Sequence, residues 1–288
     1  MRALLSLLFT ALLSTSVFAQ NDNWPQRPVT LIVPYAAGGY TDVVARLVSG
    51  FLEKELGKPI VVETRPGGGG MIGTQFVVNS AADGYTFCVC SVGAISIVPF
   101  IQKVSYDPIK DLVPVGIVST AAQAVVVKKD LPVKTLKELV DYAKASPTKL
   151  NYGSSGIAGL THYAVRLFES RTGMSAQHVP FKGGSQVSLA LVAGEIDFAF
   201  ANMTDALPQI EAKTIKVLAV TSKEPVPFLP NVPTINQAMV PGFLAESWNG
   251  IMAPAGTPDP IVRRMSAALN KMAADPTVVA ALRKAGAA

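Results

Sequence analysis

A short apolar strand, a loop rich in glycine or serine, and a helix follow one another four times in this chain. "VTLIV" (Val29–Val33) leads through "PYAAGGYTD" into apolar residues at helical spacing: Val43, Val44, Leu47, Val48, Phe51 and Leu52. Thr41 can cap that helix, and Gly57 with Pro59 ends it. "IVVE" then passes through "TRPGGGG" to a helix over "MIGTQFVVNS". "LNYGSSGIAG" and "HVPFKGGS" open two further helices. Strands alternating with helices at this spacing predict an α/β protein with largely parallel sheets. One set of units runs to about residue 120 and a second occupies about 122–221. A proline-rich segment (Pro225, Pro227, Pro230, Pro233, Pro241) then returns the chain toward the first set. The expected architecture is two α/β lobes joined by two crossing strands with a ligand cleft between them: lobe 1 from 20–121 plus 222–288, lobe 2 from 122–221.

The first residues belong to a different category. Met1-Arg2, an apolar run over Ala3–Leu13 and small residues ending Val17-Phe18-Ala19 read as a secretory signal peptide cut after Ala19. The apolar run is too short to span a bilayer. No cysteine follows the cut, so no lipid anchor is expected there. The expected location is the periplasm. Cys88 and Cys90 in "TFCVCS" point to one face of a strand. In extended geometry they are too close for an easy disulfide, and they read as small core residues. The formal charge of +5 comes from scattered basic residues, without the clustered basic face that a nucleic-acid partner requires.

The loops carry the chemistry. Gly68, Gly70 and Gly73 fit the dinucleotide spacing G-x-G-x-x-G. That fingerprint needs an acidic residue about 20 positions on. Near Gly93 the sequence is "SVGAISIV", with no acid, and Arg65-Pro66 breaks the tight strand-to-glycine turn. No cofactor is expected. Exposed N–H groups of a glycine loop at a helix N-terminus still receive carboxylates or phosphates. Four such loops sit at the carboxyl ends of strands, where open α/β sheets bind ligands. Enzyme readings find less support. "GSSGIAG" lacks G-x-S-x-G, since Ile157 stands two after Ser155. His162 and His178 read as structural hydrogen-bonders, and no metal-ligand spacing occurs. Asp42 can cap its helix or touch a ligand, while Asp197 reads as structural. A secreted hydrolase would show turnover that Ser155→Ala abolishes.

"PVTLIVPYAAGGYTDVVAR", "VETRPGGGGMIGT", "LNYGSSGIAGLTH", "HVPFKGGSQ", "LAVTSKE", "LPNVPTINQ" and "APAGTPDPIV" together resemble the tripartite tricarboxylate transporter receptors, the Bug proteins, from about Trp24 onward. The resemblance implies a type II periplasmic binding-protein fold closing over a small carboxylate, with no catalysis. It places the ligand against Tyr35, Ala37, Gly38, Gly39, Asp42, Gly68, Gly69 and Gly70 of lobe 1. From lobe 2 it implies Ser154, Ser155, Thr161, Phe181 and Lys182, with Ser91 and Ala94 lining the cleft. It also implies a monomer that docks on a membrane permease with one large and one small subunit. The same pocket would serve a sensor that presents its closed form to a membrane kinase. Phe181 stands where tyrosine is common, and Ala201 where an acid often follows the strand. Pro225 replaces a frequent basic residue, and Asn249 follows Trp248 where an aromatic is usual. These departures bear on the ligand rather than on the fold. Family chains generally run on past the stretch matching "LRKAGAA", so an end at Ala288 implies a differently capped first lobe or a shortened, less stable chain.

Overall fold

The computed structural model describes residues 24–288; the export segment read over residues 1–19 lies outside them. The first lobe opens with β1 (Val29–Val33), α1 (Tyr40–Leu56), β2 (Ile60–Thr64), α2 (Met71–Val78), β3 (Thr86–Ser91) and the short α3 (Val98–Ile101). β4 (Leu112–Lys128) leads into the second lobe. There follow α4 (Leu136–Ala145), β5 (Asn151–Ser154), α5 (Leu160–Thr172), β6 (Gln177–Pro180), α6 (Gly184–Ala193), β7 (Phe198–Asn202), α7 (Met203–Glu211), β8 (Ile215–Val220) and α8 (Ile235–Ala238). β9 (Glu246–Pro254), α9 (Asp259–Ala274) and α10 (Pro276–Lys284) return to the first lobe.

The strands run in the order β2-β1-β3-β9-β4-β7-β5-β6, with β8 also on β4. β1 is parallel to β2 and β3, in register Val29↔Ile60 and Thr30↔Thr86. In the second lobe β5 is parallel to β6 and β7. β4 joins the two halves. It pairs antiparallel with β9 as far as Ala122↔Glu246, then with β7 from Gln123↔Asn202. One 17-residue strand therefore serves both lobes, and its crossing falls at Ala122–Gln123. Thr221 ties the crossing down. Its N–H donates to the Gln123 carbonyl at 2.9 Å, its hydroxyl accepts the Gln123 N–H at 2.8 Å, and its carbonyl accepts the Ala245 N–H at 3.2 Å.

Helices on both faces explain why the central strands are apolar throughout rather than alternating. Along β1, Leu31 and Val33 join Val44, Val48, Leu52, Phe87 and Met265 on one face, while Ile32 meets Val77 and the cysteines on the other. Along β7, Phe198 and Phe200 pack with Leu139, Phe168 and Phe243, and Ala199 and Ala201 face Val187, Leu191 and Met203. Each fully buried aromatic of this kind contributes about 1.5–3 kcal/mol. α1 stops where the sequence predicts, at a left-handed Gly57 (φ 69°) whose N–H reaches the Glu53 carbonyl.

After β8, Ile235, Val240, Phe243 and Ala245 pack with the buried residues of β5 and β7, and Val226, Leu229 and Val232 pack on the other side of that sheet. The stretch runs through turns and the short α8, and its apolar residues cover β8 and β7 before β9 crosses back. The cysteine reading changes. Cys88 and Cys90 are joined in a disulfide, both fully buried, with Cα atoms 5.2 Å apart. An ideal strand would separate them by about 6.6 Å. β3 is contracted locally at the bonded pair.

Candidate functional site

At the carboxyl ends of the parallel strands, residues of both lobes enclose a cavity of about 30 Å³. Lobe 1 lines it with Tyr35, Gly39, Tyr40, Thr41, Ser91, Val92, Gly93 and Ser247; lobe 2 does so with Ser155, Leu160, Thr161, Gly184, Asn202 and Asp205. Three helix starts meet there: α1 at Tyr40 and Thr41, α5 at Leu160 and Thr161, and α6 at Gly184. The first turns of a helix hold N–H groups without intrahelical acceptors and the positive end of its dipole. None of the residues preceding these helices caps them with its own side chain, because each is glycine. No lysine or arginine lines the cavity among the described residues.

Hydroxyls complete the wall. The Tyr35 hydroxyl donates to the Gly69 carbonyl at 2.8 Å and lies 2.7 Å from Ser91 Oγ. Burial pushes the Tyr35 phenol up to about 12, against a smaller lowering by Ser91, so it stays protonated as a donor. Tyr40 Oη meets Ser119 Oγ at 2.9 Å, and its phenol is pushed up by burial in the same way. Thr161 Oγ1 accepts the Ser155 N–H at 2.9 Å and lies 2.9 Å from Ser155 Oγ.

The lobes meet through glycines and backbone. The Ala36 N–H donates to the Lys182 carbonyl at 3.1 Å, and Ser185 Oγ to the Ala37 carbonyl at 3.0 Å. A Cβ on Gly69 would stand 2.5 Å from the Ile157 carbonyl; one on Gly156 would stand 2.8 Å from Gly69 Cα. One on Gly183 would lie 2.7 Å from Ala36 Cβ. Two side chains meeting there would hold the lobes apart. The glycine-rich loops therefore serve close approach of the lobes.

The residues singled out in the sequence separate into groups. Tyr35, Gly39, Ser91, Ser155 and Thr161 line the cavity. Gly69, Gly70 and Ala94 stand directly behind Tyr35: a Cβ on Gly70 would meet the Tyr35 hydroxyl at 2.8 Å and Ala94 Cβ at 3.0 Å. Ser154 is buried below its neighbour, with Oγ 2.7 Å from His178 Nε2. Ala37, Gly38, Gly68 and Lys182 are exposed, and Phe181 is half-buried against the second lobe's core. Asp42 turns away from the cavity. Its Oδ2 accepts the Gly38 N–H at 2.8 Å and pairs with Arg46 at 3.0 Å, so it shapes the first loop. His162 and His178 stack with centroids 4.0 Å apart beneath the Ser154 loop. Burial first, then His162 and Arg166, hold the His178 imidazole down to about 4; burial and Arg166 lower His162.

Asp205 was not anticipated. It is 6% exposed on the first turn of α7. Its Oδ1 accepts the Tyr40 N–H at the start of α1, 2.8 Å away across the cleft; its Oδ2 accepts from Asn202 Nδ2 at 3.2 Å. Burial pushes the carboxyl from 3.8 up to about 6, opposed by those two donors. Gly184 leaves room for it, since a Cβ there would fall 1.9 Å from Oδ2. The acid that the resemblance places at position 201 is absent, and Asp205 stands one helical turn further on. "IDFAFANMTD" ends a strand and starts a helix without any glycine loop, so the loop pattern passed over it. Ser247 gave no signal either, because it lies on an antiparallel crossing strand.

A family model described as "Tripartite tricarboxylate transporter family receptor" matches residues 44–288. A UPF0065 protein from the tcbD-tcbE intergenic region of Pseudomonas sp. (strain P51) is 36% identical over 287 residues, covering 99% of this chain and 85% of that protein. BugT of Bordetella pertussis (strain Tohama I) is 32% identical over 285 residues, covering 97% and 86%. An adipate-bound R. palustris protein superposes with a TM-score of 0.89 at 34% identity, over 92% of this chain and 89% of its own. MatC from Rhodopseudomonas palustris with bound malate gives 0.87 at 33%, over 92% and 90%. These neighbours are binding proteins rather than enzymes, and they share the two-lobed α/β architecture described above. Matched along nearly its whole length by that model and these relatives, the chain belongs to the tripartite tricarboxylate transporter receptors, the Bug family of solute-binding proteins.

Proposed function

We propose that this protein captures a small carboxylate between its lobes in the periplasm and delivers it to a tripartite tricarboxylate-type membrane transporter. The observation that carries the reading is the convergence of three helix N-termini and the hydroxyls of Ser155, Thr161 and Ser247 on one interlobe cavity with no lysine or arginine in its wall. Oriented N–H and O–H dipoles solvate an anion without the cost of burying a lysine or arginine. The adipate and malate held by two structural neighbours are carboxylates of the expected kind. The buried Cys88–Cys90 disulfide fits an oxidising compartment, as the periplasm is. The packing favours lobe 1 as 24–121 with 246–288, and lobe 2 as 122–245.

Binding of an anion that touches both lobes favours closure, because only the closed state offers both sets of donors. The closed surface, composed of both lobes, is then what a permease of large and small subunits reads. Native mass spectrometry of protein purified from the periplasm, before and after mild unfolding, tests the first half. A released carboxylate of intact mass is expected; a released nucleotide would overturn the reading. Uptake of that carboxylate by cells carrying the permease, with and without this protein, tests delivery.

A further inference from the structure

The wall around Asp205 is built from acceptors. The Asp205 carboxylate has about four lone-pair positions, of which the Tyr40 N–H and Asn202 Nδ2 take two. Because Asn202 gives its Nδ2 to Asp205, its Oδ1 is left to accept; that oxygen is buried and has no partner. Both side chains line the cavity. The Tyr40 N–H at the start of α1 already has its acceptor, supplied by the protein itself from the opposite lobe. A ligand carboxylate is therefore left with the other end, where the start of α5 and the free hydrogen of the Ser155–Thr161 hydroxyl pair supply donors. The two ends of the cavity ask for opposite chemistry.

We infer that the ligand is a monocarboxylate bearing a hydrogen-bond donor, an ammonium or carboxamide group, which Asp205 and Asn202 Oδ1 receive, and that the same pair excludes a second carboxylate. The inference rests on the carboxylate-receptor reading above and narrows its ligand class. A dicarboxylate would set its far end against a buried carboxylate with no cation in the lining to separate them. A donor fills the unpartnered Asn202 oxygen and pairs with the Asp205 charge at once.

The test uses two matched series with the purified full chain, at a pH above the carboxyl's titration range. The first is propionate, 3-aminopropionate, malonamate and malonate; the second is butyrate, 4-aminobutyrate, succinamate and succinate. Within a series only the far group changes. Calorimetry and melting shifts are read for the protein and for Asp205→Asn, which keeps the shape and removes the charge. We expect the ammonium or amide member to bind about tenfold or more tighter than the dicarboxylate. Asp205→Asn should cut that preference to within about a factor of three. A dicarboxylate that binds the unaltered protein as tightly as its amino or amide partner overturns the inference while leaving the receptor reading standing. So does a preference that survives Asp205→Asn in full. If no member of either series binds or raises the melting temperature, the inference fails, and the carboxylate reading is then judged by the mass of the ligand released from the native protein.

Discussion

Gly183→Ala isolates the closure step. Gly183 has φ 177°, extended backbone that alanine adopts without strain. The nearest atoms to an added Cβ all belong to Ala36 of the other lobe: its Cβ at 2.7 Å, its N at 2.9 Å and its Cα at 3.3 Å. Carbon atoms in good contact stay about 3.5–4.0 Å apart, so the loops must separate by about 1 Å. Overpacking of this size costs about 1–3 kcal/mol. The separation also stretches the Ala36 N–H bond to the Lys182 carbonyl, now 3.1 Å, which contributes about 1 kcal/mol. The sum, about 2–4 kcal/mol, falls on the closed state alone and weakens ligand binding about 30- to 1,000-fold. Calorimetry with the carboxylate released from the native protein measures the loss, and melting of ligand-free protein checks the fold. Binding unchanged within about threefold would refute the reasoning, because this contact would then play no part in closure. A collapse of the ligand-free melting temperature would refute it differently, by showing that the loop contact supports the fold itself.

Asp205 and His178 predict opposite pH slopes in the ligand-free protein. The Asp205 carboxyl sits above its unfolded value, at about 6 against 3.8, so its contribution to stability is full below the lower value and is lost as pH rises through the upper one. At 1.36 kcal/mol per pH unit the loss is about 3 kcal/mol, and denaturant midpoints of Asp205→Asn should not show it. The His178 imidazole sits below its unfolded value, at about 4 against 6.5, so its contribution is present above 6.5 and disappears as pH falls toward 4. His178→Phe should remove that acid slope, leaving the Asp205 slope exposed in the same melts; an unchanged slope would show that His178 is not buried neutral. Thr135→Ala removes the hydroxyl that accepts the Glu138 N–H at 3.1 Å at the start of α4. It should cost about 1 kcal/mol in thermal melts and leave ligand affinity unchanged, since α4 is far from the cavity.

The alternation of apolar strands, glycine loops and helices was enough to read the α/β class, the two lobes and the loops whose ends line the cavity. Those features are local: a strand period, a helix period and a residue without Cβ each announce themselves within ten residues. Tyr35, Gly39, Ser91, Ser155 and Thr161 line the cavity because the loops at strand ends stand where a parallel sheet sends them. What depends on distant segments was not legible. The proline segment reads as a return path, and only the pairing of β9 with β4 shows how late the crossing comes. The contraction of β3 at the cysteine bond has no residue signature. Asp205 is one acid among twenty Asp and Glu residues until folding lays it on the first turn of a helix 165 positions away. The sequence by itself determined which elements form and where their dipoles point. The tertiary structure alone decided that Asp205 meets the Tyr40 N–H of the opposite lobe, because a buried charge takes its meaning from neighbours that only the folded chain brings within hydrogen-bonding distance.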